Sequence, residues 1–245
     1  MLALLADIHA NVEALDACLE HARRRGATRY AFLGDLVGYG ADPQRVVDSV
    51  RGYADDGAVV VLGNHDAAVL RTEADISDGA AQARDWTRGA LDAAAKAWLG
   101  ALPLCVREER ACFVHASAAA PARWEYVDDA TRALRSIDAA GTTYTFSGHV
   151  HDQALYFETA TRKMIRFQPV PGSAVPVPGH RRWLAIVGSA GQPRDGSPAA
   201  AYALIDLARE TLTFHRVPYD ARKAAAKVRA AGLPERLALR LERGR

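Results

Sequence analysis

Between Leu2 and Leu62 the chain alternates short apolar runs with stretches whose apolar residues recur at helical spacing, and this alternation constrains the fold more than any other feature of its 245 residues. Leu2 to Ala6, Tyr30 to Leu33 and Val59 to Leu62 are the length of buried strands. Val12 to Arg25 sets Val12, Leu15, Leu19 and Ala22 on one helical face and stops at Gly26, and Gln44 to Arg51 reads as a second helix. Strand, helix, strand, helix, strand demands parallel pairing through right-handed crossovers. In such sheets functional groups gather beyond the carboxyl ends of the strands.

The later chain changes character. Gly79 to Leu102 is alanine-rich and predicted helical, with Trp86, Leu91, Trp98 and Leu99 as core anchors. Ala111 to Val114, Thr142 to Phe146, Ala154 to Glu158, Met164 to Phe167, Trp183 to Val187, Ala200 to Ile205 and Thr211 to Val217 read as short strands, so this half is expected to be mostly sheet. Two helices close it, Asp220 to Ala231 and Glu235 to Arg243, with Pro234 at a helix start. No repeat or linker divides the chain. The expectation is one domain over 1–245, with a helical insertion at about 66–102 and C-terminal basic helices at about 220–243.

No apolar run approaches a bilayer span, and MLALLA lacks the basic stretch of a secretion signal, which points to a cytoplasmic protein without a membrane partner. Cys18, Cys105 and Cys112 match no zinc or redox spacing, and their odd number argues against a disulfide framework. The net charge of +2 hides an asymmetry, because Arg216 to Arg245 carries nine Lys or Arg against three Asp or Glu. Such a tail could follow an acidic substrate, nucleic acid or a partner, or could be a solvated helical face with its bases interspersed among alanines.

Five polar clusters follow the predicted strands: D-I-H at Asp7 and His9, G-D at Gly34 and Asp35, G-N-H-D from Gly63 to Asp66, V-H at Val114 and His115, and G-H-V-H from Gly148 to His151. Taken singly, each has an ordinary explanation: a cap, a hydrogen-bonded core histidine, a turn asparagine. Together they would bury carboxylates and imidazoles at one end of a sheet, which is costly without compensation. Cations resolve that cost. Two Asp, one Asn and four His offer oxygen and nitrogen donors suited to Mn, Fe, Zn, Co or Ni, with too much imidazole for calcium and no thiolate for a structural zinc knot. Seven ligands exceed one ion and suit two sharing a carboxylate, a pairing that activates water and clamps a phosphoryl group.

The ordered series D-x-H, G-D, G-N-H-D, H and G-H-x-H, covering residues 7 to 151, resembles the calcineurin-like metallophosphoesterase superfamily. G-D-L-V-G-Y-G-A-D-P from Gly34, Trp86-Thr87, W-E-Y-V from Trp124 to Val127 and G-S-A-G-Q-P-R-D-G from Gly188 to Gly196 resemble a bacterial branch often labelled as phosphoesterase or symmetrical diadenosine-tetraphosphatase-like. Three residues depart from the pattern: Val150 replaces a common threonine, and Ile186-Val187 a common Asn-Pro. The resemblance implies an α/β fold, a four-layer αββα sandwich of two mixed sheets flanked by helices. It implies two divalent metal ions, Mn first among the candidates, held by Asp7, His9 and His151 on one side and Asn64, His115 and His149 on the other, with Asp35 bridging.

His65 would face the substrate, stabilising the phosphoryl charge or protonating the departing oxygen. Asp66 would orient His65 or cap the following helix. Asn64, Arg194 and Tyr39 are candidate substrate contacts, Arg194 as a phosphate fork or a surface arginine, and Tyr39, Trp124 and Tyr126 as base-stacking or core rings. Gly188 and Gly191 are expected to offer backbone amides to phosphate oxygens. The implied activity is hydrolysis of a small phosphodiester, nucleotide or dinucleoside polyphosphate, with nucleic acid not favoured. A phosphoprotein phosphatase, a non-catalytic scaffold and a nucleotide-binding module are the alternatives.

Overall fold

The computed structural model describes residues 1–71 and 78–245; residues 72–77 of the expected insertion lie outside the described residues. The first half runs β1 (Leu2–Leu5), α1 (Val12–Arg24), β2 (Arg29–Phe32), α2 (Pro43–Asp55), β3 (Val59–Val60), α3 (Asn64–Leu70), α4 (Asp78–Ala90) and α5 (Ala93–Gly100). The second runs β4 (Cys105–Arg107), β5 (Ala111–Val114), α6 (Ala130–Ala140), β6 (Tyr144–Ser147), β7 (Gln153–Glu158), β8 (Met164–Phe167), β9 (Ala174–Pro176), β10 (Trp183–Val187), β11 (Ala200–Asp206), β12 (Thr211–Val217), α7 (Ala221–Ala230) and α8 (Glu235–Arg243).

The strands form two six-stranded sheets, ordered β3-β2-β1-β11-β12-β9 and β4-β5-β6-β10-β7-β8. Period-two alternation assigns their faces. Leu2 and Leu4 of β1 join Leu33, Phe113, Phe146 and Phe214 between the sheets, while Ala3 and Leu5 turn outward to Leu15, Val46 and Val50 of α1 and α2. On the far face of the second sheet Ile137 of α6 packs with Tyr156, Leu184 and Ile186. The result is the expected four layers, helix, sheet, sheet, helix.

Each sheet contains a parallel trio, β3, β2 and β1 in the first and β5, β6 and β10 in the second. The polar clusters follow the carboxyl ends of those strands. The second half is less purely sheet than expected, because α6 lies within it. Asp129 caps α6 by accepting from the Arg132 amide, and Gly141 ends it at φ 68.

The basic tail is not a loosely solvated face. Ala224, Ala225 and Val228 of α7 bury against Leu237, Ala238 and Leu241 of α8. Lys227 pairs with Glu13 and Asp42, and Arg229 with Glu235 and Glu242. Among the described residues no helix is long and apolar enough to cross a membrane.

Candidate metal centre

Among the described residues ten non-glycine residues have positive φ, and eight of them, Asp7, His9, Ala10, Asp35, Tyr39, Trp124, His149 and His151, belong to the polar clusters or the loops beside them. Each left-handed residue with a side chain costs on the order of 1 kcal/mol. At Asp7, His9, Asp35, His149 and His151 glycine would remove that cost but also the donor group, so there the strain marks positions where the side chain is needed. The turns are then tied across the molecule. The amides of Asp7 and His9 donate to the carbonyls of Gly34 and Asp35 at 3.0 and 2.9 Å, and the His149 amide donates to Asp7 Oδ2 at 2.9 Å, joining one sheet to the other. Gly148 is required for this approach, since a Cβ there would stand 2.6 Å from Asp7 Oδ2.

Two groups of buried ligand-type side chains result, Asp7, His9 and His151 in one and Asp35, His115 and His149 in the other. In the first, His9 Nε2 and His151 Nε2 are 3.2 Å apart and lie 3.9 and 3.4 Å from Asp7 Oδ1, a fully buried oxygen with no hydrogen-bond partner. His9 Nδ1 and His151 Nδ1 face the carbonyls of Val37 and Gln192 at 3.3 and 2.6 Å. A carbonyl only accepts, so both Nδ1 atoms carry the proton and both Nε2 atoms present lone pairs. Three acceptors therefore point at one another. This arrangement fits a cation, with the outer nitrogens anchored as ligating histidines usually are.

In the second group His115 Nε2 lies 3.3 Å from Asp35 Oδ2, 3.1 Å from His149 Nδ1 and 2.9 Å from Asn64 Oδ1, while His115 Nδ1 donates to the Leu33 carbonyl at 2.8 Å. Asp35 Oδ2 is also 3.8 Å from His9 Nε2, on the seam between the groups. All seven residues expected as ligands are thus brought together.

Electrostatics separate the two groups. Burial raises the Asp7 carboxyl to about 7, with the nearby Asp35 charge adding to the shift. Burial also holds His9 and His151 well below the ordinary histidine range. In the other group burial opposes both charges but is outweighed: His115 and His65 hold Asp35 well below the usual carboxylate range, and Asp35 raises His115 to about 9.

The remaining candidates divide. His65 is half-buried; its amide donates to Asp35 Oδ1 at 2.8 Å, and its ring lies 4.3 Å from Tyr39 and 5.1 Å from His9. Burial lowers its pKa, so at neutral pH it is a neutral ring with one N–H to donate. Asp66 accepts from the amides of Gly63 and Val37, both at 3.0 Å, which makes it the cap of α3 and a clamp on the Asp35 loop. Its oxygens are engaged there, not on His65. Tyr126, 47% exposed, stacks on His149 at 4.1 Å, and Trp124 lies 5.8 Å from His115.

Arg194 Nη2 donates to Gln192 Oε1 at 3.1 Å, and its buried Nε has no partner. The expectation for the glycine-rich loop needs correction. The Gly191 amide donates to the Asp7 carbonyl at 2.9 Å, so it braces the Asp7 turn instead of facing a ligand, and a Cβ at Gly188 would meet Gln153 and Ala201.

Comparison with known proteins agrees with this arrangement. The chain is 33% identical, over all of its length and 98% of the relative's, to an uncharacterized protein of Methanocaldococcus jannaschii. Its fold matches the crystal structure of a metallophosphoesterase from Sphaerobacter thermophilus with TM-score 0.89 and 34% identity, covering 100% of this chain and 98% of that one. A hypothetical protein from Pyrococcus horikoshii shares the fold with TM-score 0.80 at 19% identity, covering 100% and 99% of the two chains. The calcineurin-like phosphoesterase superfamily domain matches residues 1–210, and with it the paired Asp and His clusters at the strand ends find their context: the chain belongs to that superfamily.

Proposed function

We propose that this protein hydrolyses a phosphate ester of a small molecule, a phosphodiester, a nucleotide or a dinucleoside polyphosphate, at a centre holding two divalent cations. The observation that carries the reading is the position of Asp35 Oδ2, 3.8 Å from His9 Nε2 and 3.3 Å from His115 Nε2, where one carboxylate can serve both groups. Asp7, His9 and His151 would hold one ion and Asn64, His115 and His149 the other. Bound there, the cations supply Lewis acidity toward the phosphoryl oxygens and an acidified water.

The chain's own residues supply the rest. Carbonyls of Val37, Leu33 and Gln192 fix the ring orientation of His9, His115 and His151 before any substrate arrives. His65, beside the centre, donates its N–H to the phosphoryl or departing oxygen, and the approach of a phosphate anion raises its pKa toward the protonated form. Arg194 adds a planar cation with a free Nε.

The test is reconstitution with Mn, Fe, Zn, Co or Ni, elemental analysis, and assay on p-nitrophenyl phosphate, bis-p-nitrophenyl phosphate, dinucleoside polyphosphates and a phosphopeptide. Two equivalents of metal with turnover of a small ester are expected. Turnover of the phosphopeptide alone would make it a protein phosphatase, and metal binding with no turnover on any of them would sink the hydrolase reading.

A further inference from the structure

The last helix reaches the site. Leu237, Ala238 and Leu241 hold α8 in an apolar cluster against which Tyr39 packs, and the Tyr39 ring lies 4.3 Å from His65 and 4.7 Å from His9. At its other end α8 is tied to the loop that carries Arg194, since the Gly196 amide donates to the Gly244 carbonyl at 2.9 Å. Asp195 in that loop is in turn gripped by both terminal nitrogens of Arg216, at 2.7 and 2.9 Å. The helix therefore spans from the Tyr39 loop to the Arg194 loop, and Arg240 lies on the stretch between.

Arg240 differs from the other bases of the tail. Arg216, Lys223, Lys227 and Arg229 are paired with carboxylates, and Arg222, Arg236, Arg243 and Arg245 are exposed to water that screens them. Arg240 is half-buried, and among the described residues it has no carboxylate partner; its charged neighbours are Arg194 and Arg236, with the Tyr39 ring beside it. Arg194 also lacks an acidic partner and keeps its Nε free. The nearest carboxylates that feel Arg194 are Asp7 and Asp152, neither faces Arg240, and the two like charges repel in the protein alone. They become favourable when an anion lies between them.

The pair is also ordered relative to the centre. Arg194 acts electrostatically on Asp7, His9, His65 and His151; Tyr39 feels both arginines, Arg194 more than Arg240, which places Arg240 one layer further out.

We propose that Arg240 and Arg194 together form an outer anion site that takes the phosphate next to the scissile one, so that the preferred substrates are small molecules with two or more directly linked phosphates. This deepens the phosphoesterase reading and rests on it. It also gives the basic C-terminal helix a role: α8 selects the substrate.

The test uses the full-length, manganese-loaded protein as wild type, Arg240→Ala and Arg240→Lys, all solutions at the same free Mn²⁺. Calorimetry measures binding of AMP, with one phosphate, and of α,β-methylene ADP, with two and a bridge that resists hydrolysis. Arg240→Ala should weaken α,β-methylene ADP at least about ten-fold and AMP less than about three-fold, with Arg240→Lys between wild type and alanine. Equal losses for the two nucleotides, or no loss for the diphosphate analogue, overturn the proposal. Loss confined to a single-stranded oligonucleotide also overturns it, assigning the arginines to a nucleic-acid backbone. Turnover of bis-p-nitrophenyl phosphate by the wild type tests the parent reading separately, since the calorimetric result does not depend on hydrolysis.

Discussion

The two Asp and His groups use nearly the same side chains and reach opposite electrostatic solutions. Around Asp35, His115 carries a proton whose Nε2 faces Asp35, His149 and Asn64 at 3.3, 3.1 and 2.9 Å, so an imidazolium does within the protein what a cation would do. Around Asp7 no imidazolium forms, because burial keeps His9 and His151 neutral; burial raises the Asp7 carboxyl itself to about 7, and its Oδ1 is left without a partner. Like residues thus give one group that compensates itself and one that depends on an added charge. A cation entering the Asp7 group meets two imidazole lone pairs and a carboxyl that loses its proton near pH 7, whereas one entering the Asp35 group must displace the His115 proton, held up to about 9.

The largest test of this contrast removes the Asp35 carboxylate, whose Oδ2 lies 3.8 Å from His9 Nε2 and 3.3 Å from His115 Nε2. Asp35→Asn should lower kcat by at least about 10³-fold and bring bound metal from two equivalents to below one, because both ions lose the same charge. Retention of one full equivalent, found by elemental analysis, would mean that the Asp7 group stands alone.

His65 separates chemistry from metal holding. His65→Ala should keep both ions while turnover falls about 10²- to 10⁴-fold, since its ring contacts Tyr39 and lies beside the centre without belonging to either group. Loss of an ion from this variant would make His65 part of the metal-binding machinery.

The smallest effect concerns stability against pH in chelator-treated protein. The folded His115 has its pKa raised to about 9 from the ordinary 6.5, so its stabilisation is fully present below about pH 6.5 and is lost as pH climbs through 9. Denaturant titrations should show a loss on the order of 2 kcal/mol between pH 7 and 9.5, and added divalent metal should flatten or reverse the slope as ions replace protons. A flat profile without metal would remove the imidazolium from the second group and erase the contrast.

Much of this arrangement was legible in the sequence, for a physical reason. Each ligand-type cluster directly follows a short apolar run, and a parallel strand buried on both faces both reads as an apolar run and delivers the next residues to one edge of the sheet. Helix α6 is hard to read from the sequence because its buried face is built partly from Ala133 and Ala140, which give little apolar contrast. Its signals were the Asp129 cap and Gly141. The three-residue strands β4 and β9 are edge strands, too short for a period to emerge.

The site shows the same division. By sequence Asp66 fits either of two roles and only its hydrogen bonds assign it to capping, and Gly191 spends its amide on a neighbouring turn that sequence spacing cannot reveal. Arg240 had no local signal at all. Its place depends on how α8 packs across loops some 45 and 200 residues earlier in the chain, the numbering of Arg194 and Tyr39 standing for that distance.

The register of β1 has a consequence for biosynthesis. Leu2 pairs on one side with Arg29 and on the other with Ile205. With chain growth at about 5–20 residues per second, the strand leading to Asp7 waits on the order of ten seconds or more for its second neighbour to be made. During that interval an apolar edge lies open, and the histidines from Asp7's future partners are not yet all in reach. The sheet that carries Asp7 is therefore completed only after His115, His149 and His151 have all been made.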